Sequence, residues 1–235
     1  MTGICWTCKK NGTIILRNAG CEIERQSDVH FNTINNAIVA ANEHIDHVRR
    51  DRHYCRKVLK RTKDAIKKLD LTIERPVNQV EVEVHYSFDY AQQVHYPNDP
   101  LQPGPIYFLI QRKCCLFGVC CEAFPRQVTY LVDEVMDTGK GANTVVSYVH
   151  HYIENHGVNG SMIHLNADKC TGQKKNNSLI QYLAWRVLTH RNKSFKISFL
   201  PVGHTKFSTD WCVGLIKQLF RKTAVGSLED IAKRY

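Results

Sequence analysis

Three aspartates carry the most specific chemistry in this sequence. Asp168 follows the strand-like run Ser161-Met162-Ile163-His164-Leu165 and opens a polar turn, Asp168-Lys169-Cys170-Thr171-Gly172-Gln173-Lys174-Lys175-Asn176-Asn177. A carboxylate at the carboxyl end of a strand, beside a basic turn that holds a glycine, suits a metal ion and a phosphate backbone. Asp89 and Asp210 are expected at comparable strand ends or helix starts. Phosphodiester cleavage needs an activated water and a stabilised leaving oxygen, and two divalent ions about 3.5–4 Å apart supply both. Carboxylates, waters and a substrate phosphate make a hard-oxygen shell of the kind Mg²⁺ (or Mn²⁺) takes. In that arrangement Asp89 bridges the ions while Asp168 and Asp210 each hold one side. Taken singly, Asp210 is better explained as a helix cap, because short polar oxygens satisfy the free amides of a first turn. Glu229 is a reserve acidic ligand. His204, between a strand and Asp210, is placed to orient water or a leaving group, and a hydrogen-bonded structural histidine fits it equally well.

A second constellation lies at the amino terminus. Cys5-Trp6-Thr7-Cys8 has the spacing of half a zinc site. The second half is less defined. His44 and His47 stand three residues apart on a helical pattern, so Cys5, Cys8 and His44 or His47 are the candidate ligands for a structural Zn²⁺. Cys114, Cys115, Cys120 and Cys121 alternate with Leu116, Phe117 and Val119, which suits small buried strand residues instead.

The elements that must position these groups fall into three zones. Residues 1–75 form a segment bearing cysteine and histidine, with weak periodicity up to residue 27 and a helical pattern over 28–70. Residues 76–225 alternate strand and helix patterns, and 226–235 form a helical tail. Val80 to Asp89 alternates strictly, with Val80, Val82, Val84, Tyr86 and Phe88 on one face and Asp89 on the other. Strands are expected over 114–123, 126–132, 161–165 and 195–200. Helices are expected over 141–156 (Val145, Val149, Tyr152 and Ile153 inward), 176–188, and from Thr209 or Asp210 through Phe220. Ser227-Leu228-Glu229-Asp230 predicts a capping box before a short last helix. The resulting order is three strands, helix, strand, helix, strand, helix. That is the RNase H-like order: an α/β (α+β) core of a mixed five-stranded sheet flanked by helices, preceded by a basic helical segment.

The formal charge of +10 and pI of about 9.1 bias the partners toward polyanions. Ten Lys or Arg fall between Arg49 and Lys68 against Asp51 and Asp64. That run, Arg49, Arg50, Arg52 and Arg56 foremost, is expected to contact nucleic-acid phosphates or to act as an import signal. Lys174, Lys175 and Lys206 are candidate phosphate contacts in the acidic-site loops. No stretch of about 18 apolar residues and no secretory leader pattern occurs, so the expectation is a nuclear or cytoplasmic protein without a membrane partner.

Four blocks carry a resemblance: Cys115-Leu116-Phe117-Gly118-Val119-Cys120-Cys121-Glu122-Ala123-Phe124-Pro125-Arg126-Gln127-Val128, Asp137-Thr138-Gly139-Lys140-Gly141-Ala142-Asn143, the stretch from His164 to Asn177, and Gly203-His204-Thr205-Lys206-Phe207-Ser208-Thr209-Asp210-Trp211-Cys212. Over roughly residues 80–225 the chain resembles a domain-of-unknown-function family abundant in animal genomes and derived from transposable elements. The resemblance implies an RNase H-like core of DDE-transposase ancestry, DNA as the partner, and a homo-oligomer by analogy with transposases. It also implies asparagine where this chain has Lys169. The expected function is metal-dependent nuclease or DNA strand-transfer chemistry. The alternative is a catalytically inactive, domesticated or decayed transposase fragment that only binds nucleic acid.

Overall fold

Strict alternation along the first strand sets the two faces of the sheet. In β1 (Val80–Tyr96), Val84, Tyr86 and Phe88 are fully buried on one face. The residues that alternate with them, His85, Ser87 and Asp89, belong to the opposite face, because successive side chains of a strand alternate. The computed structural model describes residues 5–19, 28–69, 80–101, 104, 108, 110–124, 126–137, 139–157, 160–168, 170, 172–200, 203–204 and 207–234.

β2 (Arg112–Cys121) and β3 (Arg126–Asp133) follow as an antiparallel meander. β4 (Gly160–Asp168) then pairs with β1 in parallel, and β5 (Ser194–Leu200) completes a five-stranded mixed sheet in the order β3-β2-β1-β4-β5. The parallel step requires a crossover. It is made by α3 (Ala142–Asn155), reached from β3 through a 3-10 turn at Glu134–Met136. α4 (Asn177–Leu188) links β4 to β5, and α5 (Ser208–Phe220) and α6 (Leu228–Arg234) close the chain. Two helices precede the sheet, α1 (Trp6–Ala19) and α2 (Asp28–Leu69). The fold is therefore mixed α/β, with helices around the sheet and a helical amino-terminal segment.

The main core lies on the Val84–Tyr86–Phe88 face, with Phe117, Val119, Cys121, Ile163 and Leu165 from the sheet. Val145, Val149, Tyr152 and Ile153 of α3 are all buried there, the inward stripe expected from their spacing. α4 buries Leu179, Leu183 and Arg186. Ile180 and Leu188 of the same helix are exposed. Arg186 takes an inner position because Glu154 and Asn192 accept its guanidinium at 2.6 and 2.7 Å. On the opposite face a smaller cluster joins Val94, Tyr96, Cys114 and Leu116 to Phe220, Val225 and Ile231. The four strand cysteines are buried, as their alternation with apolar residues predicts.

Three expectations need correction. α1, weakly periodic in sequence, is a regular helix. β1 runs seven residues past Asp89 to Tyr96, with a register shift between Ala91 and Val94, so Asp89 sits within a strand rather than at its end. α5 is capped at Phe207, with Asp210 at the third helical position, rather than at Thr209 or Asp210. The capping box of α6 forms as expected, with Ser227 and Asp230 bonded reciprocally at 3.0 and 3.2 Å.

By contact density the chain divides into two compact units, Met1–Val58 with Leu200–Thr205, and Leu59–Phe199 with Lys206–Tyr235. Among the described residues no helix is long and apolar enough to cross a membrane.

Phe117 is the aromatic hub of the main core, with its ring 4.8 Å from Tyr90 and 5.0 Å from Tyr148. Phe117→Ala is expected to cost about 3–5 kcal/mol of stability, read by urea denaturation. A loss below about 1 kcal/mol would contradict this packing.

Candidate active site and candidate metal centre

The register of β1 against β4 brings the first two acids together. Ser87 pairs with Asn166, and two residues further along each parallel strand stand Asp89 and Asp168, on the same face. The turn after β4 folds back on itself, because the Cys170 amide donates to Asp168 Oδ1 at 3.2 Å and the Lys174 amide donates to the Cys170 carbonyl at 2.8 Å. This return carries the Lys174 ammonium between the two carboxylates. Its Nζ donates to Asp89 Oδ1 and lies 3.0 Å from Asp168 Oδ1, and the lysine side chain is fully buried. By sequence Lys174 is a candidate phosphate contact in a site loop. It is instead an internal counter-ion, because an ammonium removed from water needs carboxylate partners.

Asp210 joins from α5. Its Oδ2 accepts the Phe207 amide at 3.2 Å, so the capping role and membership of the acidic group coexist. Burial pushes the Asp89 carboxyl above its ordinary pKa. Lys174 pulls it down, and the like charges of Asp168 and Asp210 raise it again. The Asp210 carboxyl is raised as well, first by desolvation, although the residue as a whole is exposed. Three carboxylates thus share one described ammonium. Among the described residues, the one group of three or more acidic, thiol or imidazole ligand atoms that comes within 4.8 Å of one another is elsewhere. Asp89 and Asp168 are held by an ammonium, which stands where an ion bridging the two would lie.

Glu122, which the sequence reading passed over, anchors this face. Its buried carboxylate accepts Ser87 Oγ at 2.5 Å, the Ser208 amide at 3.0 Å and Ser208 Oγ at 2.6 Å, tying the start of α5 to the sheet. Behind the aspartates, His85 hydrogen-bonds Asn166, and His164 lies 2.8 Å from Ser198 Oγ. Burial, reinforced by His164, holds the His85 imidazole down at about 3, so it is neutral there. Glu229 takes no part in the centre. It is exposed on α6, with Lys233 3.6 Å away.

The second cluster lies in the amino-terminal unit. The Lys9 amide bonds the Cys5 carbonyl at 2.9 Å, so Cys5 and Cys8 bracket the first turn of α1. Cys5 Sγ lies 3.3 Å from His44 Nε2, Cys8 Sγ 3.2 Å from His204 Nε2, and the two Nε2 atoms 3.2 Å apart. All four ligand atoms fall within 4.8 Å of one another. His47, the other histidine weighed for this site, is directed to Asp51 at 3.4 Å instead. His204, expected near the acids, belongs with the cysteines. No local spacing could have revealed it, since 160 residues separate it from His44. Arg52, expected on phosphate, donates to the His204 carbonyl at 2.8 and 3.2 Å. Arg49, Arg50 and Arg56 are exposed. Lys175 is exposed, with its Nζ 6.0 Å from the centre of the Phe199 ring. Lys206 and Lys169 lie outside the described residues.

A family model described as Domain of unknown function (DUF7869) matches residues 112–234, more than half of the chain. The chain belongs to that family. The DUF7869 match takes in Glu122, Asp168, Lys174, His204 and Asp210 but begins after β1, so Asp89, Cys5, Cys8 and His44 lie before it. No curated protein and no solved structure matches the chain.

Lys174→Met removes the described cation from the acidic centre and is expected to cost about 3–5 kcal/mol at neutral pH. A carboxyl pKa raised by folding means that the folded chain keeps a proton the unfolded chain releases, so stability is lost as pH rises through the folded value. Removing Lys174 raises Asp89 further. The deficit of the variant relative to wild type should therefore shrink toward about pH 4 and grow toward neutrality. Urea denaturation of both proteins at the two pH values tests this, and a deficit that does not vary with pH contradicts the pairing.

Proposed function

We propose that the chain is a transposase-derived, RNase H-like domain that binds nucleic acid, with its acidic centre closed by an internal cation. The observation that carries this reading is the fully buried Lys174 ammonium between Asp89 and Asp168. Metal-dependent phosphodiester chemistry would require a divalent ion where the ammonium stands. Displacing a buried, doubly paired lysine would leave its charge without partners. Three further features support the reading: the strand order β3-β2-β1-β4-β5, the adjacency of Asp89 and Asp168 across parallel strands, and the blocks that resemble transposon-derived domains.

The charge supports a polyanionic partner. Of the ten basic residues from Arg49 to Lys68, all but Arg52 are exposed, while Val48, Val58, Thr62 and Ile66 of the same helix are buried. A helix that buries an apolar stripe and turns cations outward is suited to tracking a phosphate backbone.

One observation favours a second reading, a metal-dependent nuclease or strand-transfer domain. Three carboxylates face one described ammonium, and burial, followed by the like charges of the neighbouring acids, raises Asp89 and Asp210, a penalty on their ionised forms that a divalent ion would offset.

A fluorescence-anisotropy titration with duplex DNA, run beside a nicking assay in Mg²⁺ and in Mn²⁺, separates the two. The expected result is salt-dependent binding without cleavage. Arg50→Glu with Arg56→Glu should weaken binding roughly 10-fold and reduce the salt slope by about one for each lost contact. Cleavage by wild type that disappears in Asp168→Asn would decide for the nuclease. Absence of any salt-dependent binding would remove the nucleic-acid reading altogether.

A further inference from the structure

We propose that Cys5, Cys8, His44 and His204 form a closed, four-ligand structural zinc site. This goes beyond the nucleic-acid reading and does not depend on it. The argument rests on how many partners each ligand atom faces. An imidazole nitrogen offers either one N–H or one lone pair. Yet His44 Nε2 meets both Cys5 Sγ at 3.3 Å and His204 Nε2 at 3.2 Å, and His204 Nε2 meets both His44 and Cys8 Sγ at 3.2 Å. Hydrogen bonding among thiols and rings satisfies only part of that set, because each nitrogen has two close partners for one valence. A single cation equidistant from the four atoms satisfies all of it.

The dimensions agree with a tetrahedron. Zn–S bonds of about 2.3 Å and Zn–N bonds of about 2.0–2.1 Å give S···N edges of roughly 3.5 Å and an N···N edge of roughly 3.3 Å. The contacts of 3.2–3.3 Å lie close to those edges. Two thiolates and two neutral imidazoles balance a divalent charge. Sulfur and nitrogen donors also select zinc over the oxygen-seeking Mg²⁺, Ca²⁺ and Mn²⁺. Four protein ligands leave no position open for substrate, so the site holds structure rather than performing chemistry.

The surrounding residues position the ligands. Cys5 and Cys8 stand three residues apart at the amino-terminal end of α1, so its first turn presents both sulfurs to one side. His44 comes from α2. His204 lies in the segment after β5, and Arg52 grips its carbonyl with two nitrogens at 2.8 and 3.2 Å, fixing the backbone that presents the ring. Arg52 is thus a positioning residue for the metal site. The site joins three stretches that are distant in sequence, which is the usual work of a structural zinc in a segment with little apolar core of its own.

The test uses the full chain expressed with zinc and measured for metal by mass spectrometry. About one zinc per chain is expected. After exchange, the cobalt(II) form should show visible bands of four-coordinate intensity together with a thiolate charge-transfer band. Cys8→Ser and His204→Ala should each lose stoichiometric metal, while His47→Ala keeps it. His204→Cys should restore binding with a stronger thiolate band, which separates ligand loss from misfolding. Arg52→Ala should retain zinc with affinity about 10-fold weaker, measured by competition with a chromophoric chelator. Wild type that takes up no metal after loading with Zn²⁺ overturns the proposal. A His204→Ala protein that keeps one zinc and an unchanged cobalt spectrum does the same.

Discussion

An ammonium sealed from water between two carboxylates is the interaction on which the acidic face depends. Lys174 reaches Asp89 and Asp168 because the turn after β4 doubles back, and those two acids are neighbours because β1 and β4 are parallel and in register. Each charge would be costly alone at its degree of burial, so the strand, the turn and the helix that begins at Asn177 are bound into one arrangement. The network spreads outward through Asp210, whose carboxyl feels Lys174 and accepts the Phe207 amide at the start of α5, and through Glu122, which holds the start of the same helix. The polar face of the sheet is thus organised by charge, and the opposite face by aromatic and aliphatic packing around Phe117.

Much of this was legible in the residues. Alternation along Val80–Asp89 separated the two faces, and the spacing of Val145, Val149, Tyr152 and Ile153 marked the buried side of α3. From β1 onward the order of elements followed from periodicity and turn residues, whereas α1 gave no such signal. What the sequence concealed were relations across distance. Lys174 reads locally as one of a pair of basic turn residues. Only the hydrogen bonds from the Cys170 and Lys174 amides show that its side chain turns inward while Lys175 stays exposed. His204 reads as a neighbour of Asp210 because six residues separate them, whereas its ring meets residues near the amino terminus. Arg186 carries a charge where the helical pattern wants an apolar group, and its partner Glu154 lies on another helix.

The basic composition and the acidic centre act at different ranges. Exposed cations on α2 act over a Debye length of about 8 Å at physiological salt and set attraction to a polyanion. The aspartates and Lys174 largely cancel at close range and govern what can occupy one small volume. A protein can keep the first property while giving up the second, which is the physical basis for separating binding from cleavage.

Asp210 occupies two roles at once, and that makes its charge hard to isolate. Its oxygen closes the amino end of α5 on the Phe207 amide while its negative charge belongs to the acidic group. Truncation to alanine would fray a helix and remove an anion in the same stroke, so any resulting defect has two origins. An amide in its place preserves the acceptor and deletes only the charge, and the gap between those two replacements is what isolates the electrostatic share of this side chain.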